Sequence, residues 1–400
     1  MKRLFKNPGN RYLLLWTLFN LKGFLYPDGS IINRSILLII MLLSLVELVK
    51  NFQSKIYRQT IFFKGLNAVM IMYTVYGLAL FVTDGTTVKS LYSDIYSSTS
   101  FILGAWIVLM PIYVIYIYTR QGYLKLETLQ KWMVLFLLIG IAQFFTLQKQ
   151  IFQDLLERGA GRDEFTNGAG YILLSLMPGM LVFKRKLLTY IGITVCVVFI
   201  IMAMKRGAII IAALTLFLII RHDLTVSKGC YKIAVFAIAV ISIAFLVQFV
   251  EHMIETSDYF NQRIAATLEG DSSDRDIIYQ HFWNTYLHDS NLFQYLLGRG
   301  AMSTLKYGNI YAHNDWLEIL FCQGVVGLFI FIYYWKCFYY NSKSTILSER
   351  SRFCLFILFI MFGVRSIFSM SIVGMPIYAT VMLGFSLADG FKEQNSTHKD

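Results

Sequence analysis

Apolar runs of roughly 15 to 20 residues recur from one end of this sequence to the other, and each is about the length a helix needs to cross a bilayer. At ~1.5 Å per residue, about 20 residues carry a helix through ~30 Å of hydrocarbon. Each run therefore reads as one crossing. Hydrophobic residues make up 56% of the 400 and charged residues 15%, whereas a soluble domain carries about 25% charged residues. A membrane barrel would alternate polar and apolar residues over ~10-residue segments, and the sequence does not do this. The expected fold is all-α, a polytopic transmembrane helical bundle with one large extracytoplasmic loop.

About twelve spans are expected, at 11–26, 35–49, 61–82, 100–118, 131–147, 168–183, 187–204, 207–220, 230–250, 312–335, 353–369 and 372–388. Lys22 and Glu47 interrupt the first two. On a soluble chain a net charge of +12 would point to nucleic acid. Here it follows from basic residues collecting in alternate loops. With the N-terminus inside, the inner loops hold 23 of the 36 Lys and Arg, and the short outer loops eight. Both termini are then cytoplasmic. The chain divides into nine spans over 1–250, an outer loop over 251–311, and three spans with a tail over 312–400. The basic N-terminus reads as the start of a first span, not as a removed signal. The five cysteines lie in or beside apolar runs and form no disulfide framework.

Four stretches carry groups that chemistry can use. In AMKRGAIII, Lys205, Arg206 and Gly207 break an otherwise continuous apolar stretch over 187–220. The span that follows is expected to be about 14 residues, roughly 21 Å long, which draws Arg206 below the outer surface. A guanidinium near mid-membrane costs about 2.5–3.5 kcal/mol on insertion scales. A bound anion would offset that cost, because the planar fork matches phosphate oxygens. The plainer reading is a tight turn whose cations snorkel outward.

The long loop holds SDRDIIYQHFWNTYLH, whose helical period gathers Ile278, Phe282, Trp283, Tyr286 and Leu287 on one face. Ser273 and Asp276 fit a capping box, and the helix is expected on the membrane surface or on the tops of the spans. Arg275 opens it among Asp271, Asp274 and Asp276. Clustered carboxylates suit a hard cation, but no Glu closes a calcium loop. A solvated helix start is preferred, and no metal is expected. The stretch YAHNDWLEIL sets His313, Asn314, Asp315 and Glu318 at the start of a span. Asn314 or Asp315 can cap it, and a carboxylate one turn inside hydrocarbon needs a partner or water. An imidazole beside it can take a proton from a hydroxyl near neutral pH. The plainer reading is a capped helix with an interfacial histidine. Arg365, in FGVRSIFSM, reads first as an interfacial anchor. No GxSxG, Walker A or HExxH pattern is present.

Taken together, KRGAIIIA, DRDIIYQHFWNTYLHDSNLFQYLLGRG and HNDWLEILFCQGVVGLFIFI resemble the signature segments of the O-antigen polymerase and O-antigen ligase superfamily, in order and spacing, over about 200–340. The resemblance implies an enzyme that moves a glycan from a polyprenyl (undecaprenyl) pyrophosphate donor to a sugar hydroxyl, without a cofactor. It would act at the outer face of the bacterial inner membrane. The resemblance implies His313 as the catalytic base, with Arg206 and Arg275 gripping the pyrophosphate. Arg299, between two loop glycines, stands where the family has an apolar residue, and Lys205 replaces a commoner small one. Substrate binding is expected of Arg206, Arg275, Arg299, Asn314, Asp315 and Glu318. A polymerase extending O-antigen or capsule on a lipid-linked acceptor is expected. A ligase passing the glycan to lipid A core is the alternative, and a flippase or transporter the more distant one. The implied partners are the lipid-linked oligosaccharide, membrane lipid, a chain-length regulator and a flippase, with no nucleic acid.

Overall fold

A computed structural model of the chain describes residues 6–26, 29–51, 60–84, 98–157, 167–256, 261, 265, 274–308, 310–372 and 374–392. Among them the regular elements are helical, with one isolated bridge between Lys22 and Tyr26. In chain order they are α1 (Pro8–Asn20), α2 (Ile31–Asn51), α3 (Phe62–Asp84), α4 (Ser98–Arg120), α5 (Leu126–Glu157), α6 (Ala169–Leu176, continued as a 3-10 turn Met177–Val182), α7 (Lys186–Met202), α8 (Arg206–Val226), α9 (Cys230–Thr256), α10 (Arg275–Asp289), α11 (Leu292–Leu297), α12 (Ser303–Gly308), α13 (Asp315–Ser342), α14 (Glu349–Phe368) and α15 (Ile377–Leu387). Eight are long and apolar enough to cross a membrane: α2 to α5, α8, α9, α13 and α14.

Each expected span meets a helix, but not each helix is a full crossing. α1 has 13 residues and α15 has 11, both short of the ~17 that a crossing needs at least. Pro178 lies in the turn where α6 tightens into 3-10 geometry, and Pro376 holds the start of α15 back to Ile377. The expected short span over 207–220 is overturned. α8 runs 21 residues to Val226, about 32 Å. Its polar end stays helical because the side chains there find partners. Lys186 Nζ donates to Asp223 Oδ1 at 2.5 Å, and the His222 ring stacks 3.7 Å from Phe353. No shortness of α8 draws Arg206 into the hydrocarbon.

Polar contacts mark the two ends of the bundle. At one end Asn7 Nδ2 donates to Tyr123 O at 2.7 Å and Gln130 Nε2 donates to Val182 O at 2.7 Å. There Arg350 donates to the carbonyls of Leu181 and Phe183, and Asp389 Oδ1 accepts from Ser348 N at 2.9 Å and from Ser351 Oγ at 2.7 Å. At the other end Asn167 joins Phe144 O at 3.0 Å and Ala203 O at 2.9 Å. Between the ends lies an aromatic core. Phe63 stacks on Tyr113 at 4.4 Å, and Phe62 meets Tyr334 and Phe338 at 5.7 and 5.1 Å. Shape fit of this kind holds helices together where lipid tails remove most of the hydrophobic drive.

α10 rests on the top of a span. Phe282 and Tyr286 pack with Leu317 and Phe321 of α13, and Ile278 lies beside them, but Trp283 and Leu287 of the expected face are exposed. Its N-cap is Asp274, with φ 60° and no side-chain cap. Ser273 of the expected capping box lies outside the described residues, as does Asp271.

Candidate functional site

The start of α13 is held in place by its own polar residues. Asn314 Oδ1 accepts from Trp316 N at 2.9 Å and Leu317 N at 3.1 Å, closing two of the open donors of the first turn. Asp315 is buried, and its Oδ2 accepts from Ser371 N at 2.8 Å and Ser371 Oγ at 2.5 Å. Glu318 is buried too, with Oε1 accepting from Thr304 Oγ1 at 2.6 Å and Oε2 from Ala312 N at 2.8 Å. Both carboxylates thus bind the protein itself. Asp315 ties the segment after α14 to the helix start, and Glu318 ties down α12 and the strand of chain that carries His313. The polar opening of this apolar helix is the clasp that fixes the corner.

His313 sits just before that clasp, partly buried, in the left-handed region with φ 51°. A non-glycine residue held there costs on the order of 1 kcal/mol, and the surrounding contacts impose it. The Tyr279 hydroxyl, one turn into α10, lies 3.3 Å from the carbonyls of both His313 and Ile367, close enough to donate to either. Burial is the first cause that moves the imidazole below its usual 6.5, and the positive charges of Arg275 and Lys205 push it further the same way. Burial raises the Tyr279 phenol, while Arg275 and a hydrogen bond from Asn314 oppose the rise.

The Lys-Arg-Gly turn reaches the same corner from the far side. Lys205 is the N-cap of α8 and Arg206, partly buried, its first residue. A Cβ on Gly207 would lie 2.4 Å from Phe368 Cε2 and 2.7 Å from Tyr171 Oη, so only glycine lets the turn close against α14 and α6. Tyr171 in turn carries the Arg365 guanidinium 4.4 Å from its ring centre. Arg365 is buried, its Nε has no hydrogen-bond partner, and Asp315 is the carboxylate whose charge it feels. Four elements, α6, α8, α10 and α14, therefore meet around the entrance to α13.

Arg299 belongs elsewhere. Its Nη2 donates to Thr285 O at 3.1 Å and Ser290 Oγ at 3.2 Å, and its head lies 5.0 Å from the Tyr307 ring and 5.5 Å from the Phe321 ring. Thr285 is ten residues, about 15 Å of helix, beyond Arg275. Lys205, Arg275, Asn314 and His313 are brought together, with Arg206 adjoining Lys205; Asp315 and Glu318 stand behind them. Tyr171, Tyr279, Arg365 and Ser371 complete the corner. Of these Tyr279 had a sequence signal, being four residues from Arg275 and so on its face. Tyr171 and Ser371 had none. Among the described residues no three His, Cys, Asp or Glu side chains converge as metal ligands.

Residues 191–332 match the family model described as O-Antigen ligase. No curated protein matches the chain. The matched stretch contains Lys205, Arg206, Arg275, Tyr279, His313 and Glu318, while Tyr171, Arg365 and Ser371 lie outside it.

Proposed function

Since the matched domain places the chain in the O-antigen ligase and polymerase superfamily, whose members are glycosyltransferase-like enzymes of O-antigen pathways, we propose that it is a polysaccharide polymerase. It moves a glycan from a polyprenyl pyrophosphate, of the undecaprenyl kind, onto a hydroxyl of a lipid-linked repeat unit. His313 accepts the hydroxyl proton. The oxygen attacks the anomeric carbon, and the bond from that carbon to the pyrophosphate oxygen breaks. The pyrophosphate leaves with the bonding electrons and is held by Arg206, Arg275 and Lys205. Asn314, Asp315 and Glu318 contribute by fixing the corner from which His313 and the donor's sugar are presented.

The observation that supports this reading is that cations from two separate elements, Arg275 and Lys205, lie near enough for their charges to act on one partly buried imidazole. The same charges serve both halves of the reaction. Added to burial, which is the larger cause, they favour the neutral His313 that a base must be, and they favour charge developing on a phosphate. A positioned base is worth about 10²–10⁴ in rate. Between α7 and α9 lies an apolar groove of about 510 Å³, lined by Leu187, Ile191, Val195, Ile238, Ile241 and Phe245, of a kind that accepts a hydrocarbon chain.

A second reading is the ligase, because the matched family model carries that description. Its chemistry is the same and its acceptor is the lipid A core. Deleting the gene separates the two: surface glycan reduced to single repeats on an intact anchor supports the polymerase, and no attached glycan supports the ligase. His313→Ala should reproduce the deletion with the protein still in the membrane. Normal glycan in that strain removes His313 from the reaction.

A further inference from the structure

We propose that residues 291–300 form a re-entrant segment that dips into the leaflet on the His313 side, with the apolar face of α11 in lipid hydrocarbon. This holds whether or not the catalytic reading is correct. Three independent contacts set the depth. The Tyr76 hydroxyl donates to Leu297 O at 2.6 Å and lies 3.1 Å from Gln323 O. Arg299 N donates to Phe321 O at 3.0 Å, and Gly300 N donates to Cys322 O at 2.9 Å. Tyr76 is eight residues before the end of α3, and Gln323 eight residues after the start of α13, about 12 Å along each helix. Both ends lie on one side, since Leu80 packs with Ala301, Met302 and Leu305, and Tyr311 packs beside them. α3 has 23 residues, so it exceeds ~30 Å of hydrocarbon by only a few ångströms, and the C-terminal end of α11 lies roughly 10 Å below the hydrocarbon edge.

The surface of the segment fits that depth. Leu292, Phe293, Leu296 and Leu297 are 71, 74, 45 and 50% exposed. At the same level Val75 and Leu78 of α3, 56 and 55% exposed, already face lipid. The apolar face of α11 continues the lipid-facing surface of a span. A patch of this kind on a water-facing loop would be unfavourable.

Hydrocarbon requires backbone polar groups to find partners in the protein, and at the break the carbonyls of Leu297, Phe321, Cys322 and Gln323 do so, although the side-chain atoms Gln323 Oε1 and Arg299 Nε do not. α13 is broken at Gly324, with φ 67° and ψ −165°. The broken turn exposes the carbonyls of Phe321 and Cys322, and the amides of Arg299 and Gly300 fill them. Asn291 and Gln294 close the start of α11 reciprocally, and Gly298 N returns to Gln294 O at 2.8 Å. Arg299, the one charge in the segment, sends its head back to Thr285 of α10 and to Ser290, the residue that follows α10, as a snorkelling arginine does.

The test is a depth measurement on the full-length protein in lipid nanodiscs. Phe293→Cys and, separately, Leu292→Cys carry a nitroxide spin label, in a Cys230→Ser background. Leu78→Cys marks the lipid-facing limit and Asp289→Cys the water-facing one. Collision with oxygen, which concentrates in hydrocarbon, is compared with collision with a water-soluble nickel chelate. The segment dips into lipid if positions 292 and 293 match position 78, with nickel collisions several-fold below those at 289. Nickel collisions equal to those at 289 place the segment in water and overturn the proposal. So does exclusion of both reagents, which would mean that a second copy or another protein covers the face.

Discussion

At the residue scale the charge around His313 decides what the site can do at a given pH. An imidazole pushed below 6.5 by burial, Arg275 and Lys205 is neutral at pH 7. Protonation removes the base, so activity is retained at neutral pH and lost as pH falls through the lowered value. The acid limb of kcat/KM is expected below pH 6.5. Lys205→Met removes one of the two cations, so the limb should move up toward 6.5. It should also lower the maximum by about tenfold, if the lysine holds the leaving phosphate as a charge-assisted partner. A limb that stays in place in Lys205→Met would show that the lysine does not reach the imidazole. Arg206→Lys keeps the charge of the same turn but loses the paired donors. On the phosphate-binding reading kcat/KM falls about tenfold or more; wild-type turnover returns Arg206 to an ordinary interfacial cation. The sequence made these residues legible because each sits in a short local pattern. It could not show that Asp315 and Glu318 turn inward, because their partners Ser371, Thr304 and the Ala312 amide arrive from elsewhere by folding.

Among the elements, α13 is the least like its sequence. Its apolar pattern runs on through Gln323 and Gly324 without a change of period, so the break was invisible in the string of residues. What sets it is a close approach of two chains. Gly324 and Gly298 have φ 67° and 75°, with ψ near 180°, a region that only glycine occupies readily. A Cβ on Gly324 would lie 2.4 Å from Gly298 N, and one on Gly298 2.3 Å from the Cys322 carbonyl. Gly324→Ala should therefore cost about 2 kcal/mol or more through strain alone, seen as a lower unfolding temperature in detergent or loss of folded protein. Gly363→Ala is the control. It lies mid-helix with its nearest neighbour, Trp335, at an ordinary 3.7 Å, and alanine there should leave stability unchanged or raise it by about 1 kcal/mol. Equal effects at the two positions would mean that the joint is not what holds α13. The short helices α1, α6 and α15 make a related point. Hydropathy reports that a segment prefers lipid or core, and does not distinguish a full crossing from a piece buried among other helices.

For the molecule as a whole, the question is which end of the bundle faces the cytoplasm. Asn7, Tyr123, Val182, Lys186, Asp223, Arg350 and Asp389 gather at one end by direct contacts. The turn at 203–206, Tyr279, His313 and Ser371 gather at the other. Eight of the twelve expected spans meet helices long and apolar enough to cross; the others meet shorter ones. Lys and Arg are concentrated in the loops of the first end, and positive residues are retained on the cytoplasmic side. By that rule the corner around His313 is expected to open away from the cytoplasm, as the proposed function requires. Lys228 and Asp289 are exposed on opposite ends. In cells whose outer membrane has been made permeable, a membrane-impermeant maleimide should label Asp289→Cys within minutes and leave Lys228→Cys unlabelled until the inner membrane is opened. The reverse pattern would turn the protein over, put His313 in the cytoplasm, and count against the proposed reaction at the outer face.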